Sequence, residues 1–108
     1  MSQVDGPLHS ARAGVEAGSN DWVQPFAHGT MRCVYFAPRD QDEQTPHNQD
    51  ELYIVITGRG TLERGGERVH FVAGDTLFVA AGVVHRFIEF SQDLECWAIF
   101  WGPQGGEL

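Results

Sequence analysis

Short segments rich in β-branched and aromatic residues alternate with glycine-containing turns along most of this chain. Residues of these types fit the pleated, half-buried surface of a sheet. No stretch longer than a turn or two shows a sustained amphipathic helical period. The segments cover residues 31–37, 53–57, 61–64, 67–71, 76–79, 83–90 and 94–101. The pattern therefore predicts an all-β sandwich or barrel from about Asp21 to Pro103, with at most a turn or two of helix.

The chain length supports one such domain. At 108 residues and 12.0 kDa, the chain can bury one hydrophobic core but not two. Residues 1–20 are rich in Gly, Ala and Ser and show no period, so we predict a flexible N-terminal arm, followed by a single barrel domain over residues 21–108. Neither a secretory signal nor an apolar run long enough to span a bilayer is present in this sequence. We therefore predict a cytoplasmic protein without a membrane partner.

The charge balance argues against a nucleic-acid partner. The formal net charge is -8, and all seven basic residues counted as Lys or Arg are arginines. Neutralising phosphates requires clustered Lys and Arg, which this composition does not provide. Net charge does not indicate the charge of a small substrate.

The two cysteines, Cys33 and Cys96, are far apart and do not form a CxxC motif. In a reducing compartment this spacing favours two buried thiols over a disulfide. A metal-ligand or redox role for Cys96 is the alternative.

Three residues have the chemistry of metal ligands. His47 and Glu51 precede an apolar strand by a few positions, and His85 lies within the apolar segment VVHRF. A lone histidine in such a segment is usually a core or surface residue. In a barrel, however, distant strands become neighbours, so two imidazoles and one carboxylate could share one divalent ion and leave positions open for water or substrate.

The spacing around these residues resembles that of the cupins, a family of small double-stranded β-helix (jelly-roll) barrels. Three residues separate His47 from Glu51, and six separate Glu51 from Gly58, as in the later part of the first cupin motif. Two residues separate Gly82 from His85, and the segment that begins at Gly74 fits the rest of the second motif. The resemblance implies one divalent metal ion, such as Fe, Mn, Ni or Zn, a small-molecule ligand and a homodimer.

The chain departs from the cupin motifs at four positions. Thr45 stands in the place of the first motif histidine, Ala80 in that of a proline, Glu89 in that of an asparagine and Arg39 in that of a glycine. Without the first histidine, the remaining ligands resemble the facial triad of two histidines and one carboxylate found with non-haem iron. Thr45, Gln49 or Asn48 are the candidates for filling part of the gap, and a barrel that no longer binds metal is the alternative.

Candidate substrate contacts follow from the alternation of side chains along a strand. Tyr53 and Val55 share the parity of Glu51, and Phe87 and Glu89 share that of His85. The aromatic residues Trp97, Phe100 and Trp101 provide a further wall, although core packing or a dimer interface would use the same residue types. The predicted substrate-binding set is Thr45, Gln49, Tyr53, Phe87 and Trp97.

These features leave two function hypotheses. The first is a small metalloenzyme, such as a metal-dependent dioxygenase or isomerase, acting on a small organic molecule. The second is a binding or sensing module without turnover, with or without a metal. The sequence identifies no separate acid-base pair that would decide between them.

Overall fold

The computed structural model describes residues 7–18, 20–42 and 46–108 and confirms the all-β class. Each segment predicted as a strand contains one. The elements are α1 (Leu8–Ala17), β1 (Trp22–His28), β2 (Met31–Phe36), β3 (Asp50–Thr57), β4 (Arg59–Arg64), β5 (Glu67–Val72), β6 (Thr76–Val79), β7 (His85–Ile88) and β8 (Glu95–Trp101). No helix in the described ranges is long and apolar enough to cross a membrane.

Two antiparallel sheets enclose the core. The five-stranded sheet has the order β1-β2-β8-β3-β6, and the three-stranded sheet has the order β5-β4-β7. Their facing side chains form one apolar cluster, consistent with a jelly-roll barrel. Its buried members are Val34, Tyr53, Val55, Leu62, Phe71, Leu77, Val79, Phe87, Leu94, Cys96, Ala98 and Phe100.

The register of the larger sheet places three functional side chains in one row. Arg32 on β2 lies opposite Phe100 on β8, and Phe100 lies opposite Glu51 on β3. Residues paired in this way point to the same face of a sheet. Arg32, Phe100 and Glu51 therefore all face the barrel interior.

Gly58 ends β3, as its position after the apolar run predicts. Its φ is +93°, and a Cβ atom there would lie 2.7 Å from the Leu94 Cα atom. The turn therefore needs both a left-handed backbone and the absence of a side chain. This close approach brings the end of β3 against the start of β8.

Helix α1 has ten residues and was not predicted; it lies within the predicted arm, outside the segment from Asp21 to Pro103 to which the all-β prediction applies. Ala11 and Val15 are its buried residues, and they pack against Tyr35 and Ala37 on the outer face of the larger sheet. Such a narrow stripe of small residues gives only a weak helical period in the sequence. The boundary between arm and barrel stays a prediction.

A charged network fixes α1 to the sheet. Arg12 donates from Nε and Nη2 to the two carboxylate oxygens of Glu95, at 2.6 and 2.7 Å, and the Tyr35 hydroxyl donates to the same carboxylate. The hydrogen bonds from Arg12 are the main reason that the pKa of Glu95 is lowered to about 2. The carboxylate is thus ionised and paired at neutral pH.

Strand β1 was not predicted, because Pro25 interrupts its pattern. The pairing with β2 shifts between Val23 and Phe26, on either side of that proline. A proline cannot donate to a neighbouring strand and is tolerated at an edge strand or bulge. Strand β1 is indeed at the edge of its sheet.

Cys33 and Cys96 are both free and buried, as predicted. Burial raises the pKa of the Cys96 thiol to about 12, which keeps it protonated. Cys96 is not part of the group of potential metal ligands found in the described residues.

Candidate metal centre

The structure brings His47, Glu51 and His85 together at one end of the barrel. His47 lies in the loop before β3, Glu51 is the second residue of β3, and His85 is the first residue of β7 in the other sheet. Each residue offers one ligand atom, and these atoms lie within 4.8 Å of one another. The centre therefore spans both sheets, which only the folded barrel can bring together.

The strongest feature of this site is a pair of buried acceptors that face each other. His85 donates its Nδ1–H to the Val83 carbonyl oxygen at 2.9 Å, so a neutral ring carries its lone pair on Nε2. That Nε2 lies 3.2 Å from Glu51 Oε1. Within the described part of the chain neither atom has a hydrogen-bond partner, although both are fully buried.

Two facing lone pairs at this distance are unfavourable unless a positive group lies between them. An unsatisfied buried polar group costs roughly 1–3 kcal/mol, and here there are two. Either a proton on His85 or a metal cation would resolve the conflict. His47 Nε2, at 3.7 Å from the same Glu51 oxygen, completes the surroundings of such a cation.

The two histidines respond differently to their surroundings. Burial lowers the pKa of His47, although the charge of Glu51 opposes the shift, so this imidazole is neutral and able to ligate near pH 7. Burial would also lower the pKa of His85, but Glu51 and the Val83 carbonyl outweigh it and raise the pKa. A proton and a metal ion therefore compete for the same position between His85 and Glu51.

The donor set fits a borderline divalent metal. Two imidazole nitrogens and one carboxylate oxygen are suitable ligands for zinc or iron, and three protein ligands leave coordination positions open. The bond from His85 to Val83 fixes the ring orientation, as partners of metal-bound histidines usually do. Thr45, a candidate for the missing ligand, lies outside the described residues.

A cavity of about 540 Å³ lies against this centre. Its walls combine two of the three potential ligands, His47 and Glu51, with aromatic, apolar and polar side chains. They are Asn20, Asp21, Trp22, Arg32, Val34, Phe36, Gln41, Asp42, His47, Glu51, Tyr53, Ala98 and Phe100. The His47 ring contacts the Phe100 ring edge-on, with the centroids 4.8 Å apart. The volume suits a small organic molecule.

The predicted substrate contacts divide between the cavity and the core. Tyr53 lines the cavity, and its contact with a substrate stays a prediction. Phe87 is only 1% exposed and packs against Tyr53 and Phe71, with ring centroids 4.9 and 5.4 Å away. The structure thus places Phe87 in the core, where its inward side chain packs against other aromatic rings.

Gln49 and Trp97 do not line the cavity. The Gln49 side-chain amide donates to the carbonyl oxygens of Thr30 and Gly102 at 2.9 and 3.0 Å, so it joins two loops. Trp97 lies on the outer face of β8 and contacts the Tyr35 ring at 5.8 Å under α1. Alternation puts its neighbours Cys96 and Ala98 inside and Trp97 outside.

The predicted inward position of Glu89 is wrong. Strand β7 ends at Ile88, and Glu89 has a positive φ of 48° and a side chain that is 74% exposed. The alternation of a strand does not extend through a left-handed residue.

Sequence reasoning missed Arg32 as a residue of the site. It is an isolated charged residue in the apolar segment MRCVYF, and its parity matches Val34 and Phe36, which also line the cavity. A charge on the inward face of a strand would have been the signal.

Comparison with known proteins agrees with this architecture. The family described as "Cupin domain" matches residues 32–100. An uncharacterized protein of Streptomyces coelicolor is 40% identical over 63 residues, which cover 58% of this chain and 60% of that protein. The match thus spans less than two thirds of that relative.

Two solved structures show the same fold. A Cupin 2 conserved barrel domain protein of Salinispora arenicola has a TM-score of 0.68 at 20% identity, over 94% of this chain and 91% of that one. A candidate mannose-6-phosphate isomerase of Ralstonia eutropha has a TM-score of 0.65 at 21% identity, over 80% and 89%. At these identities the similarity concerns the fold alone.

Proposed function

This chain belongs to the cupin domain family, and from that premise we propose that it binds one divalent metal ion through His47, Glu51 and His85. We further propose that the site binds or converts a small organic molecule in the adjacent cavity. The observation that supports this most directly is the buried pair of unpartnered acceptors, Glu51 Oε1 and His85 Nε2. Two lone pairs held 3.2 Å apart need a proton or a cation between them, and the third donor, His47 Nε2, 3.7 Å from the same Glu51 oxygen, favours a metal cation.

Each residue around the proposed metal ion would have its own role. A bound divalent ion would supply Lewis-acid chemistry to an oxygen of the substrate. Glu51 contributes the negative charge, while His47 and His85 contribute neutral nitrogen donors. Tyr53 and Phe100 provide apolar walls beside them. Two histidines and one carboxylate with open positions favour an oxygenase that uses non-haem iron, and an isomerase is the other reaction class we propose.

A binding or sensing protein without turnover is the second candidate. Asp42 is a buried carboxylate in the cavity wall, but its Oδ2 accepts a 2.7 Å hydrogen bond from the Phe87 amide. This hydrogen bond makes Asp42 a poor general base, because protonation of the carboxylate would weaken its bond to the Phe87 amide. A site that holds a ligand without catalysing a reaction needs no such base.

Metal analysis tests the proposal. We expect the purified protein, after incubation with Fe²⁺, Mn²⁺, Ni²⁺ or Zn²⁺, to retain one ion per chain, and His47→Ala to retain much less. His70→Ala is the matched control, because His70 lies on β5 and bonds to Thr61. Wild-type protein that binds none of the four metals would contradict the proposal. Oxygen uptake by the iron-loaded protein with candidate substrates would then separate the two functions.

We also propose that the protein forms a homodimer through the outer face of the five-stranded sheet. Leu52 lies opposite both Phe78 and Ile99 there, and Phe78 is 47% exposed beside the Trp101 ring. An apolar sheet face of this kind is typical of an interface between subunits. The cytoplasmic location stays a prediction.

Light scattering measures the oligomeric state directly. We expect a mass of twice 12.0 kDa for the wild type and of one chain for Phe78→Glu, because a charge on this face opposes its burial. Val72→Glu is the control, since Val72 is similarly exposed at 57% but lies on the other sheet. A monomeric wild type at micromolar concentration would contradict the dimer.

A further inference from the structure

We infer that the cavity takes a small organic carboxylate, whose carboxylate group is bound by Arg32 while another oxygen of the same molecule reaches the metal centre. This inference rests on the proposed metal-binding function and adds a substrate class to it. Three observations support it. Arg32 points into the cavity, its guanidinium has no carboxylate partner among the described residues, and Phe100 lies between Arg32 and Glu51.

Arg32 is the only Lys or Arg side chain among the described residues that line the cavity. Its parity on β2 points it inward with Val34 and Phe36. Its guanidinium carbon lies 4.4 Å from the centroid of the Phe100 ring. The same ring contacts His47, so the guanidinium and a metal ligand share one wall of the cavity.

No carboxylate of the described residues lies within ion-pair distance of Arg32. Four other arginines, namely Arg12, Arg64, Arg68 and Arg86, each pair with a glutamate. Arg32 instead makes one long hydrogen bond, 3.4 Å from its Nε to Gln49 Oε1. Its two terminal nitrogens have no hydrogen-bond partner in the described part of the chain and can donate to a ligand.

Gln49 and Phe100 keep the Arg32 guanidinium in the cavity and away from the carboxylate of Glu51. The amide of Gln49 is bound to two backbone carbonyls, which directs its oxygen toward the Arg32 Nε. Phe100 lies between Arg32 and Glu51 in the paired row across the sheet. Because neighbouring strands are about 4.8 Å apart, the Arg32 and Glu51 backbones are roughly 10 Å apart. The phenyl ring thus prevents the guanidinium from being neutralised by the metal-binding carboxylate.

A molecule that spans this distance would complement both ends of the cavity. A guanidinium binds a planar carboxylate through two parallel hydrogen bonds, and the metal takes a second oxygen donor. A dianionic phosphate fits this end of the cavity less well, since Arg32 is the only Lys or Arg among the described lining residues and Asp21 and Asp42 also line the walls. The charges therefore favour a carboxylate group at Arg32, on a molecule whose other end offers the metal a hydroxyl, carbonyl or second carboxylate oxygen.

Calorimetry with bifunctional probes on zinc-loaded protein tests this assignment without requiring turnover. The probes are the monohydroxamate of glutaric acid, its terminal amide and its phosphonate analogue, in which the hydroxamate binds zinc and only the other end differs. We expect the carboxylate probe to bind about tenfold or more tightly than the amide, as is typical of charge-assisted hydrogen bonds.

Variants assign this preference to Arg32. The carboxylate preference should disappear in Arg32→Met, which preserves the packing on Phe100, and should be partly retained in Arg32→Lys, which keeps the charge. It should be unchanged in Arg86→Met, where an arginine with a 59% exposed side chain outside the cavity is lost. A preference that survives in Arg32→Met would overturn the assignment.

The remaining outcomes separate this inference from the proposed function. Equal affinity for the carboxylate and amide probes would overturn the inference, while the metal site would stand because the hydroxamate binds. Tighter binding of the phosphonate would overturn the carboxylate class in favour of phosphate. Failure to bind any of Fe²⁺, Mn²⁺, Ni²⁺ and Zn²⁺ would overturn the proposed function, and this inference with it.

Discussion

Glu51→Gln is expected to abolish the thermal stabilisation by metal, while the metal-free variant melts at or above the temperature of the metal-free wild type. The glutamine removes the anionic ligand of the proposed centre. Its side-chain amide can also donate to His85 Nε2, which faces Glu51 Oε1 at 3.2 Å without a hydrogen bond in the wild type. The substitution thus replaces two facing acceptors with a donor and an acceptor.

The wild type should respond strongly to metal by comparison. A ligand at one hundred times its dissociation constant stabilises the folded state by about 2.7 kcal/mol. For a domain of this size that corresponds to an increase in Tm of roughly 10 °C or more. Thermal melts at pH 8, with and without zinc, measure the metal-free Tm and its increase with metal for the wild type and for Glu51→Gln.

Glu67→Gln is the matched control, because it makes the same chemical change in a side chain that is 65% exposed and far from the centre in sequence. It should keep the full response to zinc. If the metal-free Glu51→Gln protein is much less stable than the wild type, then Glu51 has a structural role that the geometry does not indicate. If it keeps the zinc response, Glu51 is not a ligand.

The fold could be predicted because turn chemistry and strand composition agree along most of the chain. Gly58 shows this agreement, since its turn requires both a positive φ and the missing side chain. The helix could not be predicted in the same way. It is held by two small buried residues and by the pairing of Arg12 with Glu95, which is distant in sequence. A contact of that kind leaves no local signal.

The convergence of the triad could be predicted because a barrel brings distant strands together and because the spacing around His47, Glu51 and His85 resembles that of the two cupin motifs. The predicted aromatic wall of Trp97, Phe100 and Trp101 mixes the two faces of β8, because both faces are apolar and the sequence does not say which one is inside. Phe87 has the correct parity but lies too deep to line the cavity. Arg32 becomes a site residue only through its pairing with Phe100, which depends on the order of the strands.

Phe87→Ala is expected to destabilise the protein by about 3–5 kcal/mol, as is usual when a buried phenyl ring is removed from a packed core. Phe87 is 1% exposed and its ring contacts those of Phe36, Tyr53 and Phe71. The main-chain bond from its amide to Asp42 would remain, so the loss measures packing alone. Urea denaturation of the metal-free variant gives the free energy of unfolding directly.

Two further variants show whether packing is the cause. Phe87→Leu fills part of the cavity left by the ring and should cost clearly less than Phe87→Ala. Val72→Ala removes an exposed side chain on the smaller sheet and should change the free energy of unfolding by less than about 1 kcal/mol. If Phe87→Ala unfolds at the wild-type urea concentration but binds the hydroxamate probes more weakly, Phe87 contacts the ligand after all. In that case the cavity extends deeper between the two sheets than its lining residues indicate.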